Sequence, residues 1–165
     1  MIDFTHKRIL QSLDYDPETG RFTWKKTRPR GARMLGREAG SVCSDGYVRI
    51  RVDGQHYAAH RLAWLFVHGY MPELCIDHIN GIKTDNRIGN LRQASRQQNG
   101  MNTGRPATNS TGHKNVCRNR GGFLVSVKSS GKTSSRWFKD LDDAVTCAQE
   151  MRESIHGEFA NHGDT

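Results

Sequence analysis

Only four cysteines, Cys43, Cys75, Cys117 and Cys147, occur in 165 residues, and no two of them form a Cys-x-x-Cys pair. Such spacing excludes a zinc ribbon and the disulfide framework of a small secreted domain. The thiols are expected to be reduced and partly buried. No apolar run approaches the roughly 18 residues needed to cross a bilayer, and no apolar segment follows a basic start as a secretory leader would require. The chain therefore reads as a soluble, cytoplasmic protein with no membrane partner. A third lack is local. Residues 86–139 contain 11 Lys and Arg but no Asp or Glu, whereas residues 1–85 carry 13 basic and 10 acidic side chains and residues 140–165 carry 1 and 7. The middle of the chain thus holds more than the whole net charge of +8. Solubility is usually served by interspersed signs, so one sign over a third of the chain points to a polyanion partner. Arg92, Arg96, Arg105, Lys114, Arg118, Arg120, Lys128 and Arg136 are its candidate contacts.

The length suits two small units better than one domain. Residues 1–41 read as a strand-rich N-terminal extension: a short helix around Lys7 to Leu13, an Asp16-Pro17-Glu18-Thr19-Gly20 turn, and a strand from Arg21 to Trp24. A basic loop follows between Lys25 and Arg37, suited to a phosphate backbone or to solvent alike. Tyr47 to Val52 and Gln55 to Ala58 flank Asp53-Gly54, the signature of a two-residue hairpin. Residues 60–67 are apolar nearly all round, which suits a short core helix. His60 and His68 flank that helix and are expected to cap and pack. Residues 102–112, rich in Gly, Pro, Ser, Thr and Asn, read as a linker. Beyond them, three short strands around Lys114 to Arg118, Phe123 to Ser129 and Ser134 to Phe138 precede a helix. Asp140 is its N-cap, and Leu141, Ala144, Val145, Ala148, Met151 and Ile155 form its apolar face.

Between these units lies Cys75-Ile76-Asp77-His78-Ile79-Asn80-Gly81, followed by Asn90-Leu91-Arg92 and Gln98-Asn99. No packing rule asks for this set. Hydrolysis of a phosphodiester needs a water, a group to take its proton, and positive charge beside the phosphate. His78, with an ordinary pKa near ~6.5, suits a general base at neutral pH. Asn90 could hold the ring by accepting its far N–H. Asp77 and Asn99 offer hard oxygens suited to Mg²⁺ or Mn²⁺, with waters and substrate phosphate completing the shell.

These residues resemble the HNH endonucleases, in particular the phage and intron homing-type members. Asp77-His78-Ile79-Asn80-Gly81, Asp85-Asn86-Arg87 and Asn90-Leu91-Arg92 carry the resemblance. It implies an α+β fold with a ββα-metal (His-Me finger) core at 42–101, His78 as base, Asn90 as its orienter, and Asp77 and Asn99 as metal ligands. The motif's last His is Asn99 here, which disfavours Zn²⁺.

The unit at 113–165 resembles the Apetala and ethylene-response-factor type of DNA-binding domain, from Thr111-Gly112 through Phe123 and Trp137-Phe138 to His156-Gly157-Glu158-Phe159-Ala160. Such domains lay a three-stranded sheet in the major groove, which implies double-stranded DNA contact by Arg118, Arg120, Lys128 and Arg136, mostly to phosphates. The expected protein is a nicking, homing-type endonuclease, monomeric but able to pair on DNA. Its rivals are a non-cleaving DNA-binding regulator or decayed nuclease, and an RNA-directed nuclease.

Overall fold

The computed structural model describes residues 4–25 and 35–163. Of the expected basic loop, Lys26, Arg28, Arg30 and Arg33 lie outside the described residues. The fold is mixed α and β, and the chain divides into two compact units, Met1–Gln93 and Ala94–Thr165.

In the first unit, α1 (Phe4–Ser12) runs straight into β1 (Leu13–Tyr15), which pairs antiparallel with β2 (Phe22–Trp24). Their turn is built by Asp16, which accepts from Glu18 N and Thr19 Oγ1. A second, three-stranded antiparallel sheet holds β3 (Ser41–Val42), β4 (Val48–Val52) and β5 (Gln55–Ala58). Asp53 and Gly54 close its hairpin with φ of 48° and 87°, the left-handed pair that a two-residue turn requires. Helix α2 (Ala59–His68) follows at once.

Ile9, Leu13, Phe22 and Trp24 share one core with Ile50, Val52, Leu62, Leu65, Ile76 and Leu91. The described residues 4–25 and 35–41 therefore belong to the first unit and are not an extension from it. A nine-residue helix and a two-stranded ribbon cannot bury their own apolar faces, so they dock on the elements that follow. The boundaries expected after residues 41, 101 and 112 give way to a single division after Gln93.

This docking reaches the motif. Tyr15 Oη donates to Asn86 O at 2.7 Å, and Ile88 N donates to Pro17 O at 3.2 Å. Gly20, at φ +72°, passes so close that a Cβ there would stand 2.4 Å from Arg87 N and 2.6 Å from Asn86 C. Gly20→Ala is expected to destabilise the protein by about 3 kcal/mol, from overpacking added to the strain of a positive φ. Gly36 has the same φ with nothing within 4 Å of its Cβ position, so Gly36→Ala should cost about 1 kcal/mol. Urea denaturation of both variants checks this, and equal losses would mean that the close approach carries no weight.

In the second unit, α3 (Arg96–Met101) starts on a capping box: Ser95 Oγ accepts from Gln98 N, and Gln98 Oε1 accepts from Ser95 N. Then come β8 (Val116–Asn119), β9 (Gly122–Ser129) and β10 (Lys132–Phe138), an antiparallel sheet with β9 central, and α4 (Leu141–His156). Asp140 caps α4 as expected, accepting from Asp142 N and Asp143 N. Val116, Val125, Ala144 and Ala148 form the core, with Phe123, Phe138, Leu141, Val145 and Met151 packed around it.

The expected linker is a folded loop. Asn109 Nδ2 donates to His113 O and Val116 O, and its Oδ1 accepts from Thr111 N and Gly112 N. Lys114 is buried, and its Nζ donates to Met101 O, Thr103 O and Asn161 O. Its ammonium clasps this loop to the chain's last turn. Burial, with Arg152 beside it, pushes its pKa down to about 8. Lys114 thus serves backbone carbonyls and is not presented to a nucleic acid.

Candidate active site

Helix α2 fixes the approach to the motif. Arg61 donates to Leu74 O at 3.3 Å and to Pro72 O at 2.7 Å, gripping the segment that enters β6 (Cys75–His78). A 3₁₀ turn, Ile88–Asn90, leads into β7 (Leu91–Ala94), and β6 and β7 form a two-stranded sheet. Asp77 and His78 end up 3% and 4% exposed. Polar groups that deep persist only when partnered. For Asp77 the partner is Arg92, whose Nε donates to Oδ2 at 2.8 Å. Arg92, an expected DNA contact, therefore binds the motif's own carboxylate.

His78 sits among rings. Its Nε2 lies 3.4 Å from Asn86 Oδ1, so with the proton on Nε2 the basic lone pair is on Nδ1. The His60 ring stands edge-on at 5.2 Å between centroids with an interplanar angle of 81°, and the Tyr47 ring lies 5.9 Å away. Tyr47 and His60 also touch each other at 5.2 Å. Lys83 Nζ lies 4.9 Å from the Tyr47 ring centroid and donates to Asp45 O. Burial pulls the His78 pKa below the ordinary imidazole value, against the opposing pull of Asn86, Asp77 and Asp85. For His60, burial and then the neighbouring His78 lower it to about 4. Both rings are neutral at pH 7, and a neutral imidazole is the form that can accept a proton.

Asn90 does a different job from the one expected. Its Oδ1 accepts from Asn80 N, and its Nδ2 donates to Asn80 Oδ1 and Asp85 O. Asn80 Nδ2 in turn donates to Asp85 Oδ2, and Arg87 donates to both Asp85 oxygens. These bonds lock the loop that leaves His78, while the hydrogen bond to the ring comes from Asn86. In the sequence Asn86 stands out only within Asp85-Asn86-Arg87, which carries the family resemblance without a role at the ring. His68 packs on Trp64 at 4.1 Å, as expected, but His60 lies against His78. The signal available for His60 was its place at the start of an apolar helix that had to pack on the motif.

Asn99 lies in the second unit, half-buried on α3, its N–H bonded to Ser95 O. Arg96, Arg105, Arg118, Arg120, Lys128 and Arg136 are exposed in the same unit. Register sorts the sheet residues by face, because cross-strand partners point the same way. Arg118 pairs with Phe123 and Arg136 with Val125, so both lie on the side that packs against α4. The Arg118 guanidinium lies 5.5 Å from the Phe123 ring centroid. Lys128, paired with Thr133, is on the opposite side with Ser126, Ser135 and the half-exposed Trp137. The expected basic groove face is thus split between two sides.

Among the described residues, no three His, Cys, Asp or Glu side chains come together as a metal cluster. Asp77 offers the first unit's motif a hard carboxylate oxygen, a donor suited to a hard divalent cation that keeps most of its waters.

A family model described as HNH endonuclease matches residues 57–101, a span that contains Asp77, His78, Asn86, Asn90 and Asn99. Protein 3.8 of Escherichia phage T7 is 30% identical over 104 residues, covering 61% of this chain and 86% of that protein. No solved structure matches the chain.

Proposed function

Since the chain belongs to the HNH endonuclease family, we propose that it is a metal-dependent, site-directed DNA endonuclease of the phage homing type that nicks one strand. The observation that carries this reading is His78: a buried, neutral imidazole beside Asp77, with one ring nitrogen on Asn86 and the other bearing the lone pair. Nδ1 takes the proton of a water whose oxygen attacks phosphorus, and the P–O3′ bond breaks to leave a 5′ phosphate and a 3′ oxyanion that takes a proton from solvent. Asn86 holds the proton already on Nε2, and Asn80, Asp85 and Asn90 keep the following loop rigid under the substrate. A divalent ion, when bound, supplies the charge that stabilises the leaving oxygen; Asp77 and Asn99 are its protein ligands in this reading, assigned from the sequence pattern.

The second unit is read as the DNA-reading module, with Arg96, Arg105, Arg118, Arg120, Lys128 and Arg136 as exposed cations, of which Arg118 and Arg136 lie on the α4 side of the sheet. Six phosphate contacts would cost about 10³-fold in affinity between ~50 and ~200 mM salt. Filter binding of duplex DNA across that range is expected to show the steep slope. A flat one, or firmer retention of RNA, would remove duplex DNA as the partner. The activity is tested on supercoiled DNA with Mg²⁺ or Mn²⁺. Nicked circles are expected, and binding without product would favour a regulator that keeps the fold without cutting, a reading to which the Arg92–Asp77 pair lends support.

A further inference from the structure

His60 has no role in the proposed mechanism, yet it is the ring nearest the proposed base. It opens α2, whose Arg61 grips the entry to β6 and whose Leu62, Ala63 and Leu65 are core, so its backbone cannot drift relative to His78. Its Nδ1 is buried and has no hydrogen-bond partner. An unpartnered buried nitrogen weakens a fold, and a phenylalanine or leucine would avoid it. Where a structure keeps such a group against the proposed base, function is the first explanation to examine.

The geometry supplies one. The contact of Nε2 with Asn86 Oδ1 is long, at 3.4 Å, and such a contact directs a ring only weakly. A half-turn of the imidazole about Cβ–Cγ puts carbon where each nitrogen stood, at Asn86 and at the reacting position alike. A second ring set edge to face across it stops that rotation, and the preferred edge-to-face arrangement of ring quadrupoles makes the contact attractive as well as steric. Tyr47, in contact with both histidines and covered by Lys83, closes the third side.

We propose that His60 is a positioning residue for His78, holding the ring of the base edge to face so that Nε2 stays on Asn86 and Nδ1 stays toward the attacking water. The inference rests on the reading of His78 as the base, and its test includes a readout that does not need cleavage. Long-range proton–nitrogen correlation spectra at neutral pH are expected to show wild-type His78 as one neutral tautomer, with cross-relaxation between the His60 and His78 rings. In His60→Ala the tautomer should become mixed. Single-turnover cleavage should fall about 10²-fold, the scale of a misplaced reacting group, with KM nearly unchanged, and His60→Phe should recover to within roughly tenfold of wild type. A wild-type His78 that already exchanges between orientations overturns the proposal without any variant. So does a folded His60→Ala protein with one tautomer and the wild-type rate, or a His60→Phe protein no better than His60→Ala. If wild type does not cleave at all, the nuclease reading falls, while the tautomer spectra still decide whether His60 holds His78.

Discussion

His78→Ala is expected to lower cleavage roughly 10²- to 10⁴-fold, the usual worth of a general base, while leaving DNA affinity within about twofold of wild type. Affinity survives because the exposed cations Arg96, Arg105, Arg118, Arg120, Lys128 and Arg136 are elsewhere in the chain. Stability should survive too, since the ring's neighbours Tyr47 and His60 belong to the well-anchored β4–α2 region and its entry. The pH profile carries a second check. Burial lowers the pKa of His78, so the lone-pair form predominates at pH 7 and persists somewhat below the ordinary value of ~6.5. Wild-type cleavage should therefore fall only as pH drops through that depressed value, and should not decline between pH ~7 and ~6.5 as an exposed histidine would require. Cleavage by His78→Ala at the wild-type rate would remove His78 from the mechanism altogether. Asn86→Ala offers a graded companion: it keeps the base but loses the contact at Nε2, and its loss should be smaller than that of His78→Ala.

What could be read from the sequence was what depends on near neighbours. The Asp140 cap, the apolar stripe of α4 and the Asp53-Gly54 hairpin are all set within a few residues, and each stands where local rules place it. The faces of Arg118 and Arg136 were readable in principle. Arg120-Gly121 and Ser130-Gly131 are two-residue turns, with φ of 46°, 76°, 51° and 78°, and such turns fix the register that sets Arg118 across from Phe123 and Arg136 across from Val125. Assigning every cation in an acid-free stretch to one groove overlooked that count. Lys114 was not readable, because its three carbonyl partners come from a loop and from Asn161, 47 residues away. The same holds for Asn86. Its place is set by Tyr15, Pro17 and Gly20, and nothing local says that a turn near the N-terminus buttresses a residue some 70 positions on. The Asp-His pair was conspicuous because two chemistry-bearing side chains stand together; their supporting residues are ordinary types, and only the fold assembles them.

The other large effect concerns the carboxylate itself. Asp77 and Arg92 form an ion pair with side chains 4% and 16% exposed, and breaking a buried pair from one side strands the remaining charge in a poorly solvated place. Asp77→Ala is therefore expected to destabilise the metal-free protein by about 3 kcal/mol, at the lower end for such pairs because Arg92 keeps some contact with solvent. A residue whose only duty was to hold a metal would show no such loss in the presence of a chelator. The double variant Asp77→Ala/Arg92→Met removes the charge together with its partner and keeps the length of the stem, so it should recover most of the lost stability. It should remain as inactive as Asp77→Ala if the carboxylate also serves catalysis. Denaturation in EDTA and cleavage in Mg²⁺, on all four members of the cycle, separate the two duties. If Asp77→Ala is as stable as wild type, the pair contributes nothing to the fold. If the double variant regains cleavage along with stability, the carboxylate acts only by neutralising Arg92, and the metal-ligand assignment of Asp77 falls.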